Sequence, residues 1–279
     1  MVVVVTGATG QLGQALQFIA KNHPEIQFHF YSSSDLDITK KNSIETVFEK
    51  IKPNFCINAA AYTAVDKAES EKDLAQLINA SGSKNLAEIC NNFNTTLIHV
   101  STDFVFDGEK EIPYSEGDLT NPQGIYGKTK RQGELEITKV ARHYFIIRTS
   151  WLYSQFGNNF MKTMLRLSQE RSSLNVVSDQ IGTPTHAVDL ANAIIKVILS
   201  TSKNYGIYHF SNEGTASWYD FAKKIFEVNK VDIDLKPIST LEFPTPAKRP
   251  KYSVLDKSKI KSEFNITINN WEDSLGRKQ

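Results

Sequence analysis

Val2-Val3-Val4-Val5-Thr6-Gly7-Ala8-Thr9-Gly10-Gln11-Leu12-Gly13 decides how the remaining residues are read. The unbroken β-branched run is what a central parallel strand needs when both of its faces are covered. It ends in glycine, and Ala15, Leu16, Phe18 and Ile19 then follow at helical spacing. A strand, a tight glycine turn and a helix aim backbone N–H groups at one point, the arrangement that receives a pyrophosphate. The spacing G-x-x-G-x-x-G departs from the commoner dinucleotide fingerprint, and its placement directly after a first strand gives it meaning. No Lys-Ser or Lys-Thr follows Gly13, which disfavours a P-loop.

Further strands are predicted at 27–31, 55–58, 96–100 and 144–148, with helices over 43–52 and 71–92 between them. Strands alternating with helices imply an α/β, Rossmann-type doubly wound parallel sheet, whose ligands bind at the C-terminal ends of the strands. After the second strand stand Ser32, Ser33 and Ser34, where an acid would take ribose hydroxyls and an arginine a 2′-phosphate. Serines serve either, so both NADH and NADPH stay open. Asp37, with Ile38, either lies beside the adenine or acts as a turn acid before the next helix. Ala59, Ala60, Ala61, Tyr62 and Thr63 follow the third strand, and small residues there let a ring or ribose approach the backbone. In the 71–92 helix Leu74, Leu77, Ile78, Leu86 and Ile89 are the apolar positions, and the helix reads as a plain crossover. The fourth strand delivers Ser101, Thr102 and Asp103 to the ligand edge.

Tyr126 and Lys130 stand four apart on a predicted helix, one turn apart on the same face. A free phenol titrates near ~10, and a nearby cation is expected to lower that value and make Tyr126 a useful proton donor.

Composition narrows the classes. The 279 residues suffice for one large α/β domain, or a core domain with a smaller one. A formal charge of +1 gives no field for nucleic acid. The two cysteines, Cys56 and Cys90, form no disulfide framework and suit a reducing cytoplasm. No apolar run approaches the ~20 residues of a membrane span, no charged leader precedes Val2, and the six histidines lack ligand spacing. The expectation is a cytoplasmic protein without metal.

Together, Gly7-x-x-Gly10-x-x-Gly13, Asn58-Ala59-Ala60-Ala61, Ser101-Thr102-Asp103 and Tyr126-x-x-x-Lys130 resemble an extended short-chain dehydrogenase/reductase. More narrowly, 61–69, 101–108, Arg148-Thr149-Ser150-Trp151 and Asp179-Gln180-x-Gly182-x-Pro184-Thr185 resemble the dTDP-4-dehydrorhamnose reductase family, over residues 1 to about 256. The resemblance implies NAD(P)H-dependent reduction of a nucleotide-linked 4-keto sugar at C4. It implies catalysis by Thr102, Tyr126 and Lys130, with Lys130 also on the nicotinamide ribose. Gly7, Gly10, Gln11, Leu12, Gly13, Asp37, Ile38, Ala60, Ala61 and Tyr62 would join Tyr126 and Lys130 around the cofactor. Thr63, Thr102, Asp103 and Trp151 would meet the sugar nucleotide. Arg249 is either a pyrophosphate partner or a surface charge.

Related 4,6-dehydratases carry Thr-Asp-Glu where this chain has Thr102-Asp103-Phe104, which favours simple reduction. The reductases more often have tyrosine at that place, so the contact of its hydroxyl is missing. Some bacterial members form a metal-bridged dimer through glutamates, and here Ala15 and Val188 occupy those places, which leaves a monomer or a homodimer without a metal bridge. Residues 1–150 are expected to form the NAD(P)-binding domain and 151–279 mainly a substrate-binding lobe, interleaved with it. Two other readings share the motif set: a reductase of another nucleotide-linked 4-keto sugar, and a partner-binding protein like the regulatory β subunit of methionine adenosyltransferase.

Overall fold

The computed structural model describes residues 1–277. Its centre is a six-stranded sheet. In chain order the strands are β1 (Val2–Thr6), β2 (Gln27–Tyr31), β3 (Phe55–Asn58), β4 (Thr96–Thr102), β5 (Tyr144–Thr149) and β6 (Gly206–His209). They lie side by side as β6-β5-β4-β3-β1-β2, and every pairing is parallel. The order reverses at β1, so the crevice beyond its C-terminal end is the place where such a sheet accepts a ligand.

Val3, Val4 and Val5 are fully buried because apolar layers cover the sheet on both sides. Val3 and Val5 face a layer with α1 (Gln11–Ala20) and the helix Ala187–Leu199. Val4 faces a layer with α2 (Lys41–Ile51), α3 (Ser83–Asn92) and α4 (Ile125–Val140). Period-2 alternation thus assigns successive valines to opposite cores.

The C-terminal half serves both parts. Helix Ala187–Leu199 and β6 return to the main sheet, where β6 extends the edge beside β5. A smaller lobe is built from helices Phe160–Glu170 and Trp218–Asn229 on the parallel pair Ser173–Val177 and Asp234–Ile238. Its separate apolar core contains Met161, Phe221, Ile225 and Trp271.

The predicted crossover helix differs from expectation. A π-turn over Leu77–Gly82 joins Lys72–Gln76 to α3. Leu74 and Leu77 are 44 % and 43 % exposed, while the buried face carries Ala75, Asn79, Ala80 and Gly82. The reason is close approach: a Cβ on Gly133 of α4 would stand 2.2 Å from the Asn79 carbonyl oxygen. Large side chains do not fit between backbones so near, so small residues make the contact.

Candidate active site

One cleft of about 790 Å³ runs between the sheet edge and the lobe. Its lining joins the glycine turn (Thr9, Gly10, Gln11, Leu12), the β3 end (Ala59, Ala61, Thr63) and the β4 end (Ser101, Thr102, Asp103, Phe104) to Tyr126 and Lys130. The lobe side adds Trp151, Phe160, Trp218 and Arg249.

The turn is shaped for a phosphate. Gly7 has φ +68°, and a Cβ there would stand 2.6 Å from the Ala60 nitrogen, so only glycine fits both the backbone and the neighbouring strand end. Helix α1 begins at Gly10 with no side-chain cap and no acid in its first turn, which leaves its N–H groups open to an anion. These features fit the diphosphate of a dinucleotide. The Gln11 side chain is held within the protein while the residue lines the cleft. Its amide donates to the Leu152 carbonyl at 3.0 Å and accepts from Ser154 at 3.0 Å and Asn159 at 2.8 Å, tying the turn to the lobe.

Tyr126 and Lys130 stand near the start of α4, whose N–H of Ile125 donates to Glu69 at 2.8 Å. Asn79 holds this helix from the other side, donating to Thr129 Oγ1 at 3.1 Å and to the Tyr62 carbonyl at 3.1 Å. The phenol of Tyr126 is pushed up to about 12, chiefly by burial, while hydrogen bonding with Thr102 pulls it down and the Asp103 charge pushes it up. Lys130 does not lower it, contrary to the expectation from spacing. Its long side chain turns to the sheet, where Nζ donates to the Val100 carbonyl at 2.7 Å and lies 3.2 Å from His99 Nε2. Shared face at Cβ therefore does not place the ammonium at the phenol oxygen. Burial brings Lys130 down to about 8, with Glu134 opposing.

Thr102 Oγ1 donates to Asp103 Oδ1 at 3.0 Å and accepts the Phe104 N–H at 3.2 Å. Asp103 is almost fully buried and its Oδ2 has no partner; burial raises its carboxyl to about 6 against hydrogen bonds from Ser253 and Thr102. Phe104 packs edge-on against Tyr126, 5.6 Å between ring centres. Across the cleft Trp151, in the left-handed region at φ +45°, stacks on Trp218 at 3.6 Å and 6°.

The family described as the RmlD substrate binding domain matches residues 1–278. A dTDP-4-dehydrorhamnose reductase of Aggregatibacter actinomycetemcomitans is 42% identical, covering 98% of this chain and 96% of that one. This chain belongs to the dTDP-4-dehydrorhamnose reductase family. A crystal structure of such a reductase from Bacillus anthracis, in complex with NADP, superposes with a TM-score of 0.94 at 42% identity, covering 98% of this chain and 96% of that one. The Clostridium acetobutylicum family member gives 0.94 at 45%, covering 99% and 97%. The extended short-chain dehydrogenase/reductase fold follows, as the resemblance implied.

Within this family frame, not every predicted residue faces the cleft. Asp37 accepts from the N–H and hydroxyl of Thr39 at 3.0 Å and 2.7 Å and pairs with Lys40, the bonds of a turn acid. Ile38 is buried in the core beneath it. The Tyr62 hydroxyl donates to Glu71 at 2.6 Å instead of turning to the cleft. Arg249 reaches the rim, yet its guanidinium forks onto Asp66 at 3.0 Å and 2.8 Å. Trp218 and Asn79 escaped the sequence reading: an aromatic at a helix start and an asparagine in a crossover helix carry no motif.

Proposed function

We infer that the chain is an NAD(P)H-dependent reductase that converts dTDP-4-dehydro-β-L-rhamnose to dTDP-β-L-rhamnose. The observation that carries this reading is one cleft shared by the glycine turn, the Thr102–Tyr126–Lys130 group and the stacked tryptophans, in a chain of this family. When bound, a reduced nicotinamide dinucleotide supplies hydride to C4 of the sugar. As charge gathers on the carbonyl oxygen, the Tyr126 hydroxyl donates its proton and Thr102 adds a hydrogen bond at the same oxygen. A phenol held at about 12 keeps its proton at neutral pH and still yields it to an alkoxide, a stronger base than a phenolate. Lys130, whose ammonium lies at Val100 and His99 and not at the phenol, would anchor the nicotinamide ribose. The Trp151–Trp218 pair offers a flat wall to the sugar, and Thr63 and Asp103 offer polar contacts to its hydroxyls. Arg249, released from Asp66, would meet the diphosphate.

Residues 1–150 are read as the dinucleotide half, and the lobe as the sugar-nucleotide half. A cytoplasmic enzyme acting as a monomer, or as a homodimer without a metal bridge, belongs to the same proposal. It is supported by two free, buried cysteines, which a reducing compartment keeps as thiols.

Oxidation of NADPH and of NADH, followed by absorbance with dTDP-4-dehydro-β-L-rhamnose, tests the reading. Turnover is expected; folded, cofactor-binding protein that reduces no such sugar would overturn it.

A further inference from the structure

Behind the cleft, a line of buried polar side chains crosses the sheet from β1 to Lys130. Thr6 Oγ1 donates to Asn58 Oδ1 at 2.8 Å, and the Ala60 backbone N–H donates to the same oxygen at 3.2 Å. A backbone N–H can only donate, so the Asn58 amide has one orientation, with Nδ2 towards His99 Nδ1 at 3.0 Å. Nδ1 therefore accepts. In a neutral imidazole the proton then sits on Nε2, and burial beside Lys130 holds His99 well below its ordinary value, so the ring is neutral. This Nε2–H faces Lys130 Nζ at 3.2 Å, while Nζ donates to the Val100 carbonyl. An ammonium has donors only, so two donors meet; a neutral amine has a lone pair that accepts.

We propose that His99, locked by Asn58 as the Nε2–H tautomer, is a positioning residue that aims an N–H at Lys130 and so sets the pH at which this lysine loses its proton. The other groups around Lys130 do not replace this control. Strands β1 and β3 present the uncharged Thr6 and Asn58. Glu134, a turn further along α4, favours the ammonium, but its carboxylate is shared among Ser101, Arg131 and Arg148. Tyr126 lies one turn earlier on α4, and Asp103 follows the end of β4 on the cleft side. Burial already brings Lys130 down to about 8, and the His99 N–H acts on it in the same direction. A lysine lowered in this way is an ammonium below that pH and an amine above it. Resting on the reductase reading, activity is lost as pH rises through the same range.

The test uses the full chain labelled with 15N-histidine and 13C-lysine. Long-range 1H–15N spectra are expected to show the Nε2–H tautomer for His99 throughout pH 6–9, its signals assigned by their loss in His99→Gln. The Lys130 Cε resonance, assigned by Lys130→Met, is expected to titrate near 8. In His99→Gln the new amide oxygen can turn to accept from the ammonium, which moves this titration and the alkaline limb of kcat upward by about one pH unit. An Nδ1–H tautomer or an imidazolium overturns the proposal, as does a lysine titration unmoved in a folded His99→Gln. Should that variant not fold, the wild-type spectra decide: a His99 Nε2–H signal that shifts as Lys130 titrates supports the proposal, while one that does not respond, or Lys130 titrating near its ordinary ~10.4, overturns it. If folded protein reduces no nucleotide sugar, the reductase reading fails, while tautomer and titration still decide this inference.

Discussion

Replacing Thr102 by Val keeps the β-branched shape at the end of β4 and removes one hydroxyl, which makes it a clean probe of the cleft. That hydroxyl donates to Asp103, accepts the Phe104 N–H, and holds down the phenol of Tyr126. A hydrogen bond to a group gaining charge contributes ~1.5–3 kcal/mol, which converts to a fall of about 10- to 150-fold in kcat/KM. The Phe104 N–H loses its acceptor as well, a stability cost of about 1–3 kcal/mol. The assay compares wild type, Thr102→Val and Thr102→Ser by steady-state NADPH oxidation with the keto sugar, and NADPH affinity by fluorescence. The loss should fall on kcat with cofactor affinity unchanged, and serine should restore most of it. A decrease below about threefold, or an equal loss in the serine variant, would refute the role of the hydroxyl.

Other outcomes follow from buried charge. Asp103 carries a folded-state value of about 6 against an ordinary 3.8, so the folded protein holds a proton that the unfolded chain releases between about pH 4 and 6, and stability falls as pH rises through that window. Asp103→Asn should therefore raise the melting temperature at pH 7.5, by up to about 3 kcal/mol in stability, and not at pH 4, while weakening turnover; thermal unfolding at both values checks this. Arg148→Met removes the two bonds at 2.8 Å and 2.7 Å that Arg148 makes to the fully buried Glu134 and leaves that carboxylate to Arg131 and Ser101, and should cost about 1.5–3 kcal/mol in urea unfolding. Arg249→Ala should raise KM for the nucleotide sugar by about tenfold with kcat nearly unchanged. An unchanged KM would leave the Asp66 pair as that arginine's only role.

What was legible in the sequence is what backbone rules dictate. The valine run, the glycine spacing and the strand ends of Asn58 and Thr102 carry their meaning in residue type and order, and the sheet assembles as those imply. Directions of long side chains are not written that way. Tyr126 and Lys130 share a face by spacing, but four methylenes let the ammonium reach Val100 and His99 instead of the phenol. Hydrophobic size misled in the crossover helix, where Asn79 lies against Gly133 and Gly82 against Ile38, while Leu74 and Leu77 turn outward. Likewise Arg249, Asp37 and Tyr62 have local partners in Asp66, Thr39 and Glu71 that no motif records.

The account stands on the Tyr126 hydroxyl as the donor that meets the forming alkoxide in a cleft shared with the dinucleotide. Tyr126→Phe, which removes that oxygen alone, measures this directly when kcat and NADPH affinity are determined on the same folded protein. The prediction is a fall in kcat of ~10²- to 10⁴-fold with NADPH affinity retained. A variant that turns over near the wild-type rate, or that loses cofactor binding in proportion to rate, would contradict it.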